Sequence, residues 1–454
     1  MNQLYSDIIF LAESLLEVFF AYKVFTEKDR TKLFLWFLTA MVCLVPDFKI
    51  REGLPAVSWL FSIVCFLRIL KEKILVKCWK EFPLRHIYMG LLIFHFIQPF
   101  FAQYESFGST YFKVIQYVMT TYLYVFLGFC MKPDLKKLLE HKRWIYTLVV
   151  VFFLIASISN ALRYNFIAGS LNQGNIWITE NEEMERGFRI IGTVSSPNIF
   201  GYINVLFALF IFKMKSPFVM KGAALFCLLA NVVLCGTRSP IFGLTLASLV
   251  YFLLESKVKF LKESLFVILV ASIGFFATYP NETINRYIES VEDIIKTGGE
   301  NTQGSSAELR AAQFAVAYDY GRSNPIWGKG QGYCNALQNE NSEYNIYYDT
   351  DLAGAESYIF YLLIDYGFVY IGIVLLFYIF YFWFCFKNYK TCKDIVVFAI
   401  PVVCALLVHV ITSRPANSWQ IFMPLMGACL FAIVEKNKEK ETKRFKTYPP
   451  LRIL

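Results

Sequence analysis

The chain has 454 residues, of which 57% are apolar, 18% aromatic and only 17% charged, well short of the roughly 25% charge typical of a soluble domain. That composition excludes a soluble globular enzyme. The scatter of eleven cysteines, with no CxxC and no Cys/His pairing at ligand spacing, excludes a disulfide framework and a zinc site. The net charge of +9 reflects membrane topology, with no nucleic-acid partner implied, because the basic residues gather in alternate connections between apolar runs.

Apolar runs recur at about the 20 residues a helix needs to cross a hydrocarbon core of roughly 30 Å. Inside that core every backbone polar group must be paired internally, so the runs read as helices. The fold class is an all-α polytopic membrane protein with about thirteen spans: 5–24, 33–46, 54–70, 86–102, 111–130, 144–162, 198–212, 218–235, 240–254, 264–279, 368–386, 395–412 and 418–434. No cleavable leader pattern opens the chain, and the first span is expected to serve as its own insertion signal. Alternate connections hold 31 of the 44 basic residues, which puts them on the cytoplasmic side, the N-terminus outside and the tail EKNKEKETKRFK inside.

The implied organisation is a bundle over 1–279 with a small outer loop at 163–197, a large outer loop with amphipathic helices at 280–355, C-terminal spans over 356–434 and a basic cytoplasmic tail at 435–454. The cytoplasmic set is 25 Lys to six Arg, whereas the outer thirteen are nine Arg to four Lys. The guanidinium fork suits bidentate contact with phosphate oxygens, while Lys serves orientation equally well. Arg189, Arg238, Arg310 and Arg414 all stand in loops or helix ends beside apolar spans.

In chain order, Glu13 and Glu17 form an i,i+4 pair on the first span, read as interhelical hydrogen bonding ahead of a proton path. His95 and His409 are isolated within spans and read as satisfied core residues. The first large outer connection holds ENEEMER and then GFRIIGTVSSPNIFG, with Arg189 close to the membrane. The tight turn CGTRSP puts Arg238 at the outer mouth between two spans. A rim arginine is costly and is a site candidate; the plainer alternative is a side chain snorkelling to headgroups.

The long polar interval follows. ETINRYIESVEDIIK has the apolar spacing of an amphipathic helix lying on the membrane or the bundle. Ser305 and Glu308 form a capping-box pattern that starts a second helix through about Tyr320, which places Arg310 in a first helical turn, where free N–H groups favour anions; an ordinary surface salt bridge is the alternative. GKGQGYCN lacks the spacing of a nucleotide loop, and its glycines are expected to permit a turn packed close to substrate. NENSEYNIYYDTD supplies Tyr344 and Tyr348, suited to stacking on sugar faces, or is a plain exposed loop. Glu356 opens the next apolar helix, with Asp365 nine residues later. A partly desolvated carboxylate at that boundary can act as general base or simply complement the helix dipole.

Nucleotide sugars and ATP are absent outside a bacterial-type membrane, so group transfer there needs a donor activated beforehand and carried in the lipid. Lipid pyrophosphates fit rim arginines, an amphipathic collar and Tyr-rich polar sequence, and arginines can neutralise the leaving group without a metal.

The ordered features FRIIGTVSSPNIFG, LCGTRSP, SAELRAAQF, NPIWGKGQGY and AESYIFYLLIDYGFVYIG resemble the O-antigen polymerase and ligase superfamily (Wzy-type polymerases and WaaL-type ligases) over roughly 185 to 375. The resemblance implies an inverting GT-C-class glycosyltransferase with no metal or cofactor. It would use undecaprenyl-pyrophosphate-linked oligosaccharides as donor and acceptor at the outer face of the inner membrane, in O-antigen or capsule assembly, with membrane lipids and a chain-length regulator as partners. It matches Arg189, Arg238 and Arg310 to the arginines that hold the pyrophosphate. Glu356 falls where ligases have a histidine ten residues ahead of a glycine, here Gly367, a departure that favours polymerase over ligase. The expectation is a repeat-unit polymerase in which Glu356, Arg310 and Arg238 are catalytic and Arg189, Arg414, Tyr344 and Tyr348 help bind pyrophosphate and glycan. A ligase is the nearest competitor. A lipid-linked oligosaccharide transporter or flippase is less well matched, because no internal repeat with paired broken helices is found.

Overall fold

A computed structural model describes residues 3–46, 48–49, 56–102, 106–167, 171, 188–194, 196–255, 307–338, 352, 355–414 and 418–447. Within these the chain is all helical, with no strand. The predicted span at 264–279, the collar helix over ETINRYIESVEDIIK, and Tyr344 and Tyr348 lie outside the described residues.

The first half of the bundle runs through α1 (Gln3–Thr26), α2 (Arg30–Cys43), α3 (Val57–Lys71), α4 (Leu75–Glu81), α5 (Arg85–Ile97), α6 (Phe107–Thr120), α7 (Leu123–Met131), α8 (Leu135–Glu140) and α9 (Lys142–Leu162). Asp29 caps α2, its carboxylate accepting from the Thr31 and Lys32 amides. That satisfies donors every helix start leaves open. The predicted span at 111–130 is broken: α6 ends at Thr120, and α7 begins after the non-helical Thr121. Glu13 accepts from the Val45 amide at 2.5 Å, a bond to the connection just past α2 and not to another helix as expected, while the buried Glu17 keeps one carboxylate oxygen without a partner.

The second half comprises α10 (Pro197–Lys213), α11 (Phe218–Leu234) and α12 (Ser239–Glu255), then α13 (Ala307–Ser323), α14 (Tyr333–Gln338) and α15 (Tyr358–Tyr361). A π-helical turn, Leu362–Tyr366, leads from α15 into α16 (Gly367–Lys387), and α17 (Tyr389–Thr412) and α18 (Trp419–Thr447) complete the chain. Among the described residues, five stretches are long and apolar enough to cross a membrane: Phe107–Met131, Lys142–Leu162, Tyr358–Lys387, Tyr389–Thr412 and Trp419–Thr442. The span expected from 368 therefore starts ten residues earlier, because YIFYLLIDY is itself apolar enough to continue the helix through the π turn. The expected cytoplasmic tail begins as a continuation of α18, tied at Lys438 to Glu81 by a 2.7 Å ion pair.

The core is one continuous cluster of Phe, Leu, Val, Ile and Tyr through both halves. α7 and α18 meet most closely, backbone against backbone. A Cβ at Gly427 would overlap the Val125 carbonyl and stand 2.7 Å from the Phe129 nitrogen, and one at Gly128 would stand 2.6 Å from the Pro424 Cα. Small residues at a helix crossing are how membrane helices gain packing where lipid supplies no hydrophobic drive. Gly427→Ala should therefore force these helices apart and destabilise the fold by about 1–3 kcal/mol, read as a lowered thermal midpoint of the purified protein.

Candidate functional site

The site is assembled from short connections at the end of the bundle opposite the Lys438–Glu81 pair. The strap 188–194 runs over this end, held by Asn165, which donates to the Arg189 carbonyl at 3.0 Å and accepts from the Ile191 amide at 3.0 Å. The Ile190 amide bonds the Leu234 carbonyl at the end of α11, and the Arg189 side chain lies across Gly236, where a Cβ would stand 2.9 Å from its Cγ. Gly236 has φ +66, a conformation that costs glycine little. Arg189 and Arg238 are thereby gathered at one turn.

That turn is tied to α17. Ser239 and Thr412 share a hydroxyl hydrogen bond, and the Tyr202 hydroxyl donates to the Ser239 carbonyl at 3.0 Å. Arg414 follows Thr412 by two residues. Its Nη1 donates to Asn335 Oδ1 at 2.8 Å, and its guanidinium lies 4.7 Å above the centre of the Tyr361 ring. A guanidinium stacked on an aromatic face and pinned at one nitrogen is held in a fixed plane. Arg414 as a whole residue is exposed, while its guanidinium is set among Tyr361, Tyr358 and Asp365.

Glu356 joins the same end. Its neighbour Ser357 donates to the Ile411 carbonyl at 2.7 Å, three residues before Arg414, and Glu356 itself is exposed. Arg310 arrives on α13, which packs alongside α15 and α16 with Phe314 against Phe360 (6.4 Å) and Tyr318 against Phe368 (5.3 Å). The two segments run the same way, so Arg310, one turn before Phe314, and Glu356, four residues before Phe360, stand at the same end. Arg310 is exposed.

The glycine-rich loop behaves differently from expectation. Its amides do not face a ligand, because they are already bonded to the π turn. The Lys329 and Gly330 amides donate to the Ile364 and Asp365 carbonyls at 2.9 and 3.1 Å. The Asp365 carboxylate accepts from the Gly332 and Cys334 amides at 2.9 and 2.8 Å. Gly328 (φ +66) and Gly367 (φ +78) permit this contact, since a Cβ on Gly367 would stand 2.7 Å from the Asn324 and Pro325 carbonyl oxygens. The glycines thus pack the loop against Asp365, which the sequence reading left without a role. From this anchor α14 carries Asn335 to Arg414 and Gln338 to the Ala355 carbonyl (2.9 Å) and the Tyr361 hydroxyl (2.5 Å).

Beneath the site lies a hydrogen-bonded chain of hydroxyls that sequence reasoning also missed. Tyr358 donates to Tyr117, which is 3.5 Å from the Tyr370 hydroxyl; Tyr370 donates to Tyr122 at 2.9 Å and meets His95 Nε2 at 2.9 Å. His95 is thus partly satisfied, as expected of a core residue. His409 is not: it stacks on Tyr202 at 3.9 Å, and both its ring nitrogens are buried without a partner. The spacing of Tyr358, Tyr361, Tyr366 and Tyr370 along one helix was a visible signal of an inward polar face. No cluster of three His, Cys, Asp or Glu able to hold a metal occurs among the described residues.

Residues 223–377 match the family model Wzy_C, described as O-antigen ligase. The match begins in α11 and ends in α16, so it takes in Arg238, Arg310, the Asp365-bound loop and Glu356, and stops short of Arg414. Comparison with curated proteins gives no match.

The Asp365 contact is testable by itself. Asp365→Asn turns one acceptor into a donor facing a buried amide and should cost about 1.5–3 kcal/mol, seen as a lower thermal midpoint. Glu356→Gln, at an exposed position, should leave that midpoint unchanged.

Proposed function

We propose, from the premise that this chain carries the Wzy_C domain of the O-antigen polymerase and ligase superfamily, that it is a polymerase of lipid-linked glycan repeats. A multi-pass membrane enzyme of lipid-linked glycan processing is the common ground of that superfamily. In the finer reading, a glycan is moved from undecaprenyl pyrophosphate to a sugar hydroxyl of a second lipid-linked repeat, outside the inner membrane, with inversion. The observation that carries the proposal is the gathering of Arg189, Arg238, Arg414 and Glu356 onto four connections: the CGTRSP turn and the start of α15 are each bonded to the end of α17, and the 188–194 strap lies across the CGTRSP turn.

Glu356 takes the proton of the acceptor hydroxyl as the oxygen attacks the anomeric carbon. The bond from that carbon to the pyrophosphate oxygen breaks, and the departing pyrophosphate keeps the electron pair. Guanidinium groups fixed beforehand stabilise that charge without reorganising. Arg238 and Arg310 clamp the diphosphate and Arg189 steers it. Arg414 is the best prepared of the set, since Tyr361 and Asn335 already hold its plane.

The description of the matched domain as O-antigen ligase supports a second reading, transfer to a lipid core or protein acceptor. A single lipid-linked repeat offered as the only glycan separates the two: a ladder of products supports the polymerase, and its absence while a core acceptor is glycosylated supports the ligase. In either case Glu356→Gln should lower turnover by about a hundredfold or more with protein level kept; unchanged turnover refutes the base assignment. Arg414→Lys keeps the charge but loses the fork and the ring stacking. It should cost about 1.5–3 kcal/mol of transition-state binding, measured as kcat/KM for the lipid-linked donor.

A further inference from the structure

The stretch 307–338 forms a hairpin whose depth can be read from its partners. α13 passes Phe360 with Phe314 and Phe368 with Tyr318. The turn below it meets the top of α16, where the Val369 amide donates to the Pro325 carbonyl at 3.1 Å. The chain then climbs past Ile364 and Asp365 to Ala355. α16 itself has 21 residues, about 31 Å of helix, enough to fill a hydrocarbon core of roughly 30 Å. The membrane-length stretch that contains it, Tyr358–Lys387, has 30 residues, about 45 Å of helix, so with Lys387 at one membrane boundary the other falls among its first residues, and the hairpin that flanks 360–369 stands there.

The side chains around that level are apolar and uncovered. Ile326 is 50% exposed, Phe314 48% and Tyr318 44%. On the adjoining corner between α5 and α6, Phe100, Phe101 and Phe107 are 48–68% exposed. The two groups are continuous: Phe101 stacks on Trp327 at 4.5 Å with the rings 6° from parallel, and Phe100 meets Phe107 at 4.8 Å. The large apolar side chains that α13 leaves exposed are Phe314 and Tyr318. Gln313 and Ala317 are buried, Asp319 faces outward about 100° round the helix from Tyr318, and the exposed Arg322, one turn beyond Tyr318 on the same face, suits a headgroup phosphate at that depth. The patch continues downward into exposed faces of spans, through Ile93 and Phe96 on α5 and Leu375 and Ile379 on α16.

We propose that this shoulder and corner form a membrane-interfacial surface, occupied by the bilayer itself at the boundary between headgroups and acyl chains on the Glu356 side. Aromatic side chains collect at that depth because it offers an apolar body and a wet rim together. An exposed apolar patch of this extent would otherwise invite aggregation. The candidate site then opens at the level of the lipid phosphates and not in the bulk aqueous phase. This holds whether or not the glycan-transfer reading does.

The test uses the full chain in lipid nanodiscs, with half-buried Cys43, Cys227 and Cys404 replaced by Ala. Nitroxide labels are placed by Phe101→Cys, Tyr318→Cys, Ile326→Cys and, for contrast, Asp319→Cys. Collisions with oxygen, which concentrates in acyl chains, should exceed those with a water-soluble nickel chelate at 101, 318 and 326, and the order should reverse at 319. Nickel-dominated collisions at 101 and 326 would place the surface in water, and exclusion of both reagents would mean that protein covers it; either result overturns the proposal. Should a cysteine variant fail to fold, a photoactivatable phospholipid can be crosslinked to the unaltered chain. Adducts within 314–327 are expected, and adducts on α16 with none in 314–327 would likewise overturn it.

Discussion

One buried carboxylate organises the candidate-site end of this protein. Asp365 sits in the π turn between α15 and α16 and receives two backbone amides from the glycine-rich loop. A buried carboxylate is costly unless its oxygens are hydrogen-bonded, and buried amides are costly unless they find acceptors. Each side of the contact meets the other's requirement. The π turn matters because it ends at Gly367, whose φ of +78 and ψ of −178 break the helix and leave the carbonyls at 364 and 365 without their helical donors, and those are the carbonyls the Lys329 and Gly330 amides use. This anchor fixes the start of α14, from which Asn335 reaches Arg414 and Gln338 reaches Tyr361.

The anchor also bears on how the proposed site holds its charged side chains. Arg414 is placed by a ring and an amide side chain, Arg189 by a glycine turn, and the Glu356 segment by the Ser357 bond to α17. None of these arrangements uses a long flexible loop, and a guanidinium held in this way loses little side-chain freedom when an anion arrives. Below them the tyrosine chain from Tyr358 to His95 knits α5, α6 and α16 to the turn that carries Glu356. His409 is the anomaly of this region. Its imidazole is buried, stacked on Tyr202 and unbonded at both nitrogens.

Much of the architecture was legible because the membrane imposes a strong and simple code. Runs of apolar residues gave the helices α9 to α12, α16 and α17 to within a few residues. The Lys-rich connections marked one side by composition alone. The capping-box pattern at Ser305 and Glu308 located the helix that became α13. Where the reading slipped, local continuity was the reason: the apolar YIFYLLIDY extends back to Tyr358 a span expected from 368, while the span expected at 111–130 stands within Phe107–Met131 with a helix break at Thr121.

The site shows the same division. The residue types and their order determined that arginines and a carboxylate stand beside apolar spans, because charge next to a hydrophobic run is visible without any fold. Which of them meet was decided by tertiary contacts between segments far apart in sequence, such as Ser239 with Thr412 and Ser357 with Ile411. The glycine loop is the clearest case. Its sequence required only a turn with positive φ and close approach, and either a ligand or a piece of the protein could have filled that need. The fold filled it with Asp365, since a buried carboxylate and unpaired amides are each costly alone and satisfied together.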